Sequence, residues 1–210
     1  CYTNANKVNY ESIIKKNKIL LGNECNIKTI NGPNSQTKNL KINKQKIKKV
    51  CIIASTYRYD SILFSIQPHG IVSMKLHLDL ISLLEKCNIE VFIRPHPENI
   101  LPNTFTSHQI DKSGPIENIT NNYDMVFFDT LQTTAFFKLI REDIPINFLD
   151  LKTNLLNQAS RELLLQRCSI INVKQDISGN FKLNKNEILS AMDRSLNLYN
   201  NDFMNKYMNY

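Results

Sequence analysis

Four short, mostly apolar runs, each closed by a polar or proline-rich turn, constrain this chain more than any other feature. They are Val50-Cys51-Ile52-Ile53-Ala54, Ile89-Glu90-Val91-Phe92-Ile93, Met125-Val126-Phe127-Phe128 and Ile146-Asn147-Phe148-Leu149. Runs this short and this apolar read as strands buried on both faces of a parallel sheet. Between them lie segments with helical spacing. Residues 71–86 carry a wide apolar stripe through Met74, Leu76, Leu78, Leu80, Ile81, Leu83 and Leu84. Shorter helices are expected near 116–121, 134–141 and 156–166, followed by a strand over 169–173 and a helix over 186–199. Strands alternating with helices at short spacing specify an α/β fold, a Rossmann-like parallel sheet with helices on both faces.

Charge divides the chain in two. Residues 1–50 hold eleven lysines against two acids, whereas the remaining 160 hold fifteen basic and seventeen acidic side chains. The net charge of +7 therefore belongs to the N-terminal segment and not to the folded body, which argues against nucleic acid as a partner. Residues 1–46 read as a basic linker, or the remnant of a missing N-terminal lobe, with one short helix around 12–20. Residues 47–199 form the expected domain and 200–210 a C-terminal tail; Tyr199 just before it and Phe203, Tyr207 and Tyr210 within it are expected to pack. No stretch approaches the roughly 18 apolar residues that span a bilayer, and the first twenty residues lack the apolar core of a secretory signal. Five scattered cysteines without CxxC spacing read as thiols in a reducing cytoplasm, and they suggest no metal site.

Three polar loops follow strands: Ser55–Arg58, Arg94–Pro97 and Asp129–Thr134. In a parallel sheet such loops gather at the carboxyl edge, where ligands bind, so all three are expected to converge on one crevice. Arg94-Pro95-His96-Pro97 is the most distinctive. Prolines on both sides fix the backbone, so Arg94 and His96 form a rigid, cation-capable pair suited to phosphate oxygens. Asp129-Thr130-Leu131-Gln132-Thr133-Thr134 opens a helix, and either Thr133 or Thr134 can cap it. The same amides offer an anion site, and Asp129 can orient the loop or accept a sugar hydroxyl. Ser55, Thr56 and Arg58 form the third group. His69 reads as an incidental loop residue, His77 as an incidental helix residue, and His108 is given no role.

The residues from Arg94-Pro95-His96-Pro97-Glu98 through the segment 115–151 carry a resemblance. They look like the C-terminal lobe of GT-B-like glycosyltransferases of bacterial surface and capsular polysaccharides. They are also similar to capsule-polymerase and CDP-glycerol glycerophosphotransferase-like enzymes. In these a Lys- or Arg-x-His-Pro turn follows one strand, and a later strand leads through an acid and a hydroxyl pair into a helix. Asp124 matches the acid before that strand, Asp129 the acid at its end, Thr133-Thr134 the hydroxyl pair and Pro145 the proline before the next strand. The resemblance spans about residues 49–168 and implies a lobe that binds a nucleotide-sugar donor. His96 and Arg94 would serve in catalysis, and Ser55, Thr56, Arg58, Asp129, Thr130, Thr133 and Thr134 would hold the donor.

The resemblance further implies transfer to a glycan or lipid-linked acceptor without metal or cofactor, at the cytoplasmic face of a membrane that the basic segment could touch. A GT-B enzyme has two lobes and only one is legible, so the acceptor lobe is expected upstream of Cys1 or absent. The rival readings are a CDP-polyol phosphotransferase, half of a non-hydrolysing sugar-nucleotide epimerase, a non-catalytic nucleotide-binding module, and a nucleic-acid-binding protein acting through its lysines.

Overall fold

The computed structural model describes residues 47–57, 70–97, 105, 110–131, 133–152 and 157–207. The expected helix near 12–20, the basic segment to residue 46, Arg58, His69, His108, Gln132 and Tyr210 lie outside these residues.

Five parallel strands make one sheet: β1 (Lys49–Ile53), β2 (Glu90–Arg94), β3 (Met125–Phe128), β4 (Ile146–Asp150) and β5 (Ser169–Asn172). Their order is β2-β1-β3-β4-β5. The chain runs from β1 outward to β2, then crosses back to β3, so the direction of winding reverses between β1 and β3. That order is one of the two common doubly wound, Rossmann-like arrangements, and the reversal is its topological switch point.

Side chains alternate across the sheet, as the two-residue period of a strand requires. Val50, Ile52, Met125, Phe127, Leu149 and Ile171 face one core, which is closed by α1 (Gly70–Glu85) and α5 (Lys185–Ser195) through Leu76, Leu80, Leu84, Ile188 and Met192. Cys51, Ile53, Val126, Phe128, Ile146 and Phe148 face the other. There a 3₁₀ turn (Ile116–Asn118), α2 (Ile119–Asn122), α3 (Thr134–Leu139), α4 (Gln158–Leu164) and α6 (Asp202–Tyr207) cover them. Continuous apolar runs were needed because both faces are covered.

Local chemistry sets the ends of these elements. α1 closes with Asn88 at φ 59°, and the amide of Ile89 donates to the Leu84 carbonyl at 3.2 Å, a left-handed cap that asparagine tolerates. At its other end Gly70 leaves no room for a side chain, since a Cβ there would lie 2.6 Å from the Tyr57 backbone. The glycine lets the start of α1 press directly on the chain leaving β1. Asp124, singled out as the acid before β3, works at the opposite edge of the sheet. Its Oδ2 accepts from the Lys48 and Lys49 amides at 2.8 and 2.9 Å, tying the start of β1 to that of β3.

Two features differ from the sequence expectation. A two-stranded hairpin, β6 (Lys174–Gln175) with β7 (Phe181–Lys182), follows β5 and turns through Gly179 at φ 80°. Its strands are too short to show any alternation. The segment expected as a tail contains a helix, α6; its Phe203, expected to pack, is 2% exposed and its Met204 0%, both in the core on that face of the sheet. The packed body thus continues past residue 199, because two apolar side chains on one helical turn gain more from burial than the short helix costs. No helix among the described residues is long and apolar enough to cross a membrane.

Candidate functional site

The registers bring one polar residue from each strand to the carboxyl edge. Arg94 ends β2, Asp150 ends β4 and Asn172 ends β5, while Ser55 and Asp129 lie just beyond β1 and β3. Ser55 and Asp129 flank the switch point, and they touch: the Ser55 hydroxyl donates to Asp129 Oδ2 at 2.6 Å with both residues buried.

α1 adds the partners behind them. His77 lies on the buried stripe of that helix with its side chain 0% exposed, and its Nε2 is 3.2 Å from Asp129 Oδ2. On the far side of the ring, Nδ1 is 2.6 Å from the Tyr57 hydroxyl. Burial, and after it the Asp129 charge, pushes the Tyr57 phenol well above its ordinary range, so the phenol keeps its proton. A carboxylate only accepts, so the favoured tautomer carries hydrogen on Nε2 facing Asp129 and accepts at Nδ1 from Tyr57. The Nε2–Oδ2 approach is close, but Nε2 is left without an aligned hydrogen bond, and so is Asp129 Oδ1. The contact at 3.2 Å is therefore read as electrostatic, and two buried polar atoms beside each other stand without an aligned partner.

The Arg94 side chain, from the second expected loop, turns elsewhere. Arg94 Nη1 donates to Asp111 Oδ2 at 2.8 Å and to Ser113 Oγ at 3.3 Å, and Nη2 donates to the Gly114 carbonyl at 2.5 Å. Asp111 also accepts from the Tyr123 hydroxyl at 2.6 Å. Burial alone would raise the Asp111 carboxyl, but hydrogen bonds from Tyr123 and Ser113 and the Arg94 charge outweigh it and hold the group below its usual range. Arg94 thus anchors the 110–114 segment, on the side of the sheet that carries Tyr123. His96 is half-buried in the turn beyond it.

In the third loop, Thr133 caps α3, its hydroxyl accepting from the Phe136 amide at 3.1 Å, while Thr134 is exposed. Thr130 is buried and Thr56 half-buried. Of the three expected loops, those after β1 and β3 meet through Ser55 and Asp129, and Arg94 is directed to the 110–114 segment instead.

Sequence reading passed over His77 and Tyr57. The signal for His77 was present: it falls in register with Ser73, Leu76, Leu80, Ile81 and Leu84, so the helix that buries them buries it too. A histidine so placed requires polar partners. Near the ends of β4 and β5, Asp150 Oδ2 accepts from Arg161 Nη1 at 2.7 Å, and Arg161 Nη2 reaches Asn172 at 3.3 Å, a pair the sequence did not announce. Among the described residues, no group of three or more His, Cys, Asp or Glu side chains gathers in a way that could hold a metal ion. No protein-family model, curated protein or solved structure matches this chain.

Proposed function

We propose that the chain is the donor-binding lobe of an enzyme that transfers a sugar from a nucleotide-sugar to a surface glycan, with the donor seated on the carboxyl edge over β1 and β3. The observation that carries this reading is the Ser55–Asp129 contact at the switch point, the place where doubly wound sheets bind nucleotides. Carboxylate and hydroxyl groups there suit a ligand rich in hydroxyls, and His96 in its proline-framed turn is the group for the diphosphate. The turn sequences around His96 and Thr133-Thr134 make glycosyl transfer the specific form of the proposal. Transfer of a polyol phosphate is its nearest variant.

A second reading has one observation in its favour. The His77–Asp129 pair is the kind of acid/base couple that a sugar-nucleotide epimerase places in its crevice. Conversion of a nucleotide-sugar in the absence of any acceptor would identify that activity.

A thermal-shift screen against UDP, CDP, GDP, CMP and their sugar or glycerol conjugates tests the proposal, because a ligand that binds only the folded chain raises its melting temperature. A shift with one nucleotide family, lost in His96→Ala and Ser55→Ala, is the expected result. If none of the panel shifts the parent chain, the donor-binding reading fails.

A further inference from the structure

Of the buried side-chain atoms left without an aligned hydrogen bond, two belong to side chains that meet at the switch point. Asp129 Oδ1 and His77 Nε2 are buried without an aligned hydrogen-bond partner, on side chains 1% and 0% exposed. A buried polar group left in that state destabilises the fold by its uncompensated desolvation. Here the two are complementary and adjacent: one accepts, and the other, in the tautomer that Asp129 favours, donates. Both side chains are also held from behind. Ser55 fixes Asp129 through Oδ2 at 2.6 Å, and Tyr57 fixes the ring through Nδ1 at 2.6 Å. Since Nε2 is 3.2 Å from Oδ2, Oδ1 is only one carboxylate width away. By distance, one oxygen placed between them would lie within hydrogen-bond reach of both.

We propose that Asp129 Oδ1 and His77 Nε2 form a donor–acceptor station for one hydroxyl group of the bound ligand, with Ser55 and Tyr57 as positioning residues. The hydroxyl donates its proton to Oδ1 and accepts from Nε2–H, which satisfies both orphaned atoms at once. Neither a phosphate oxygen nor a carbonyl can do this, since neither has a proton to give to Oδ1. The station therefore selects a sugar or ribose hydroxyl and repels an anion. This inference rests on the donor-binding reading and adds to it which side chains read the donor's hydroxyls.

Calorimetric titration with matched probes separates the two sources of hydroxyl. UDP against 2′-deoxy-UDP reports on the ribose, and UDP-glucose against UDP-2-deoxyglucose on the sugar, with the CDP or GDP counterparts used if the chain prefers another base. In the parent chain, removing the recognised hydroxyl weakens binding by about tenfold to a hundredfold, as expected for a hydrogen bond to a charged group. In Asp129→Asn and in His77→Phe that ratio falls toward one, because the deoxy probe has nothing further to lose. A merely structural role lowers affinity for both probes alike and leaves the ratio intact.

Should the variants not fold, ¹⁵N spectroscopy of the parent's imidazoles supplies the same test. The His77 Nε2 proton shifts and exchanges more slowly with the hydroxyl-bearing probe, but not with its deoxy partner. Binding of the parent with no discrimination at any hydroxyl, or with discrimination unchanged in both variants, overturns the station and leaves the donor-binding reading standing. Failure of every nucleotide to bind the parent overturns both.

Discussion

Asp111 is held by Arg94, Ser113 and Tyr123, with its side chain almost wholly shielded from water. Its folded-state carboxyl titrates below the ordinary value of 3.8, so between the two values the unfolded chain binds more protons. The stabilisation is complete above the unfolded value and is lost as pH falls through the folded one. Denaturant unfolding should show Asp111→Asn less stable than the parent by about 2 kcal/mol near neutrality, the worth of charged hydrogen bonds, with the gap closing in acid below about pH 4. Arg167 makes a different case. It is fully buried, and burial lowers its guanidinium. The Asp143 charge opposes that lowering, and the guanidinium donates to the carbonyls of Ile140, Glu142 and Ile144 at 3.0, 2.8 and 3.0 Å. These close the chain between α3 and β4. Arg167→Met should cost about 3 kcal/mol or more, because it strands several buried carbonyls at once, and a denaturation midpoint within error of the parent would refute that role.

At the level of elements, the start of α1 is where a general rule reverses. Exchanging glycine for alanine in a helix ordinarily gains roughly 0.5–1 kcal/mol. At Gly70 the added carbon would meet the Tyr57 backbone at 2.6 Å, so either α1 or the chain leaving β1 must shift. Gly70→Ala should therefore destabilise by about 1–3 kcal/mol, as overpacking does, and should disturb the Tyr57–His77 contact with it. Thr133 obeys the ordinary rule. Losing its cap on α3 should cost about 1 kcal/mol in Thr133→Ala, while Thr134→Ala, exposed and one residue on, should change little. Both outcomes are read from thermal or denaturant unfolding.

Over the whole molecule, the sheet is sealed on both faces, and α6 belongs to one seal. Met204 is 0% exposed within the core that α3, α4 and one face of the sheet share. Met204→Ala should cost about 2–5 kcal/mol in the cooperative unfolding transition of the entire domain. A small early transition with the main one unmoved would instead mark α6 as an independent appendage.

The apolar runs and the α1 stripe determined by themselves that the chain forms a parallel sheet wrapped by helices. Burial on both faces demands continuous apolar residues, and no other common element uses runs so short. The capping threonine and the polar strand ends were legible for the same reason, since a local rule governs each. Whether Arg94, Ser55 and Asp129 share one crevice was a tertiary matter. It turned on which way each side chain leaves the sheet, and Arg94 follows Asp111 while Asp129 meets Ser55 and His77. His77 could be read as buried, but its partners come from the loops after β1 and β3, 20 and 52 residues away in the chain. Only the folded chain sets that encounter, because a buried imidazole takes its tautomer and its chemistry from whatever polar groups the packing brings to its two nitrogens.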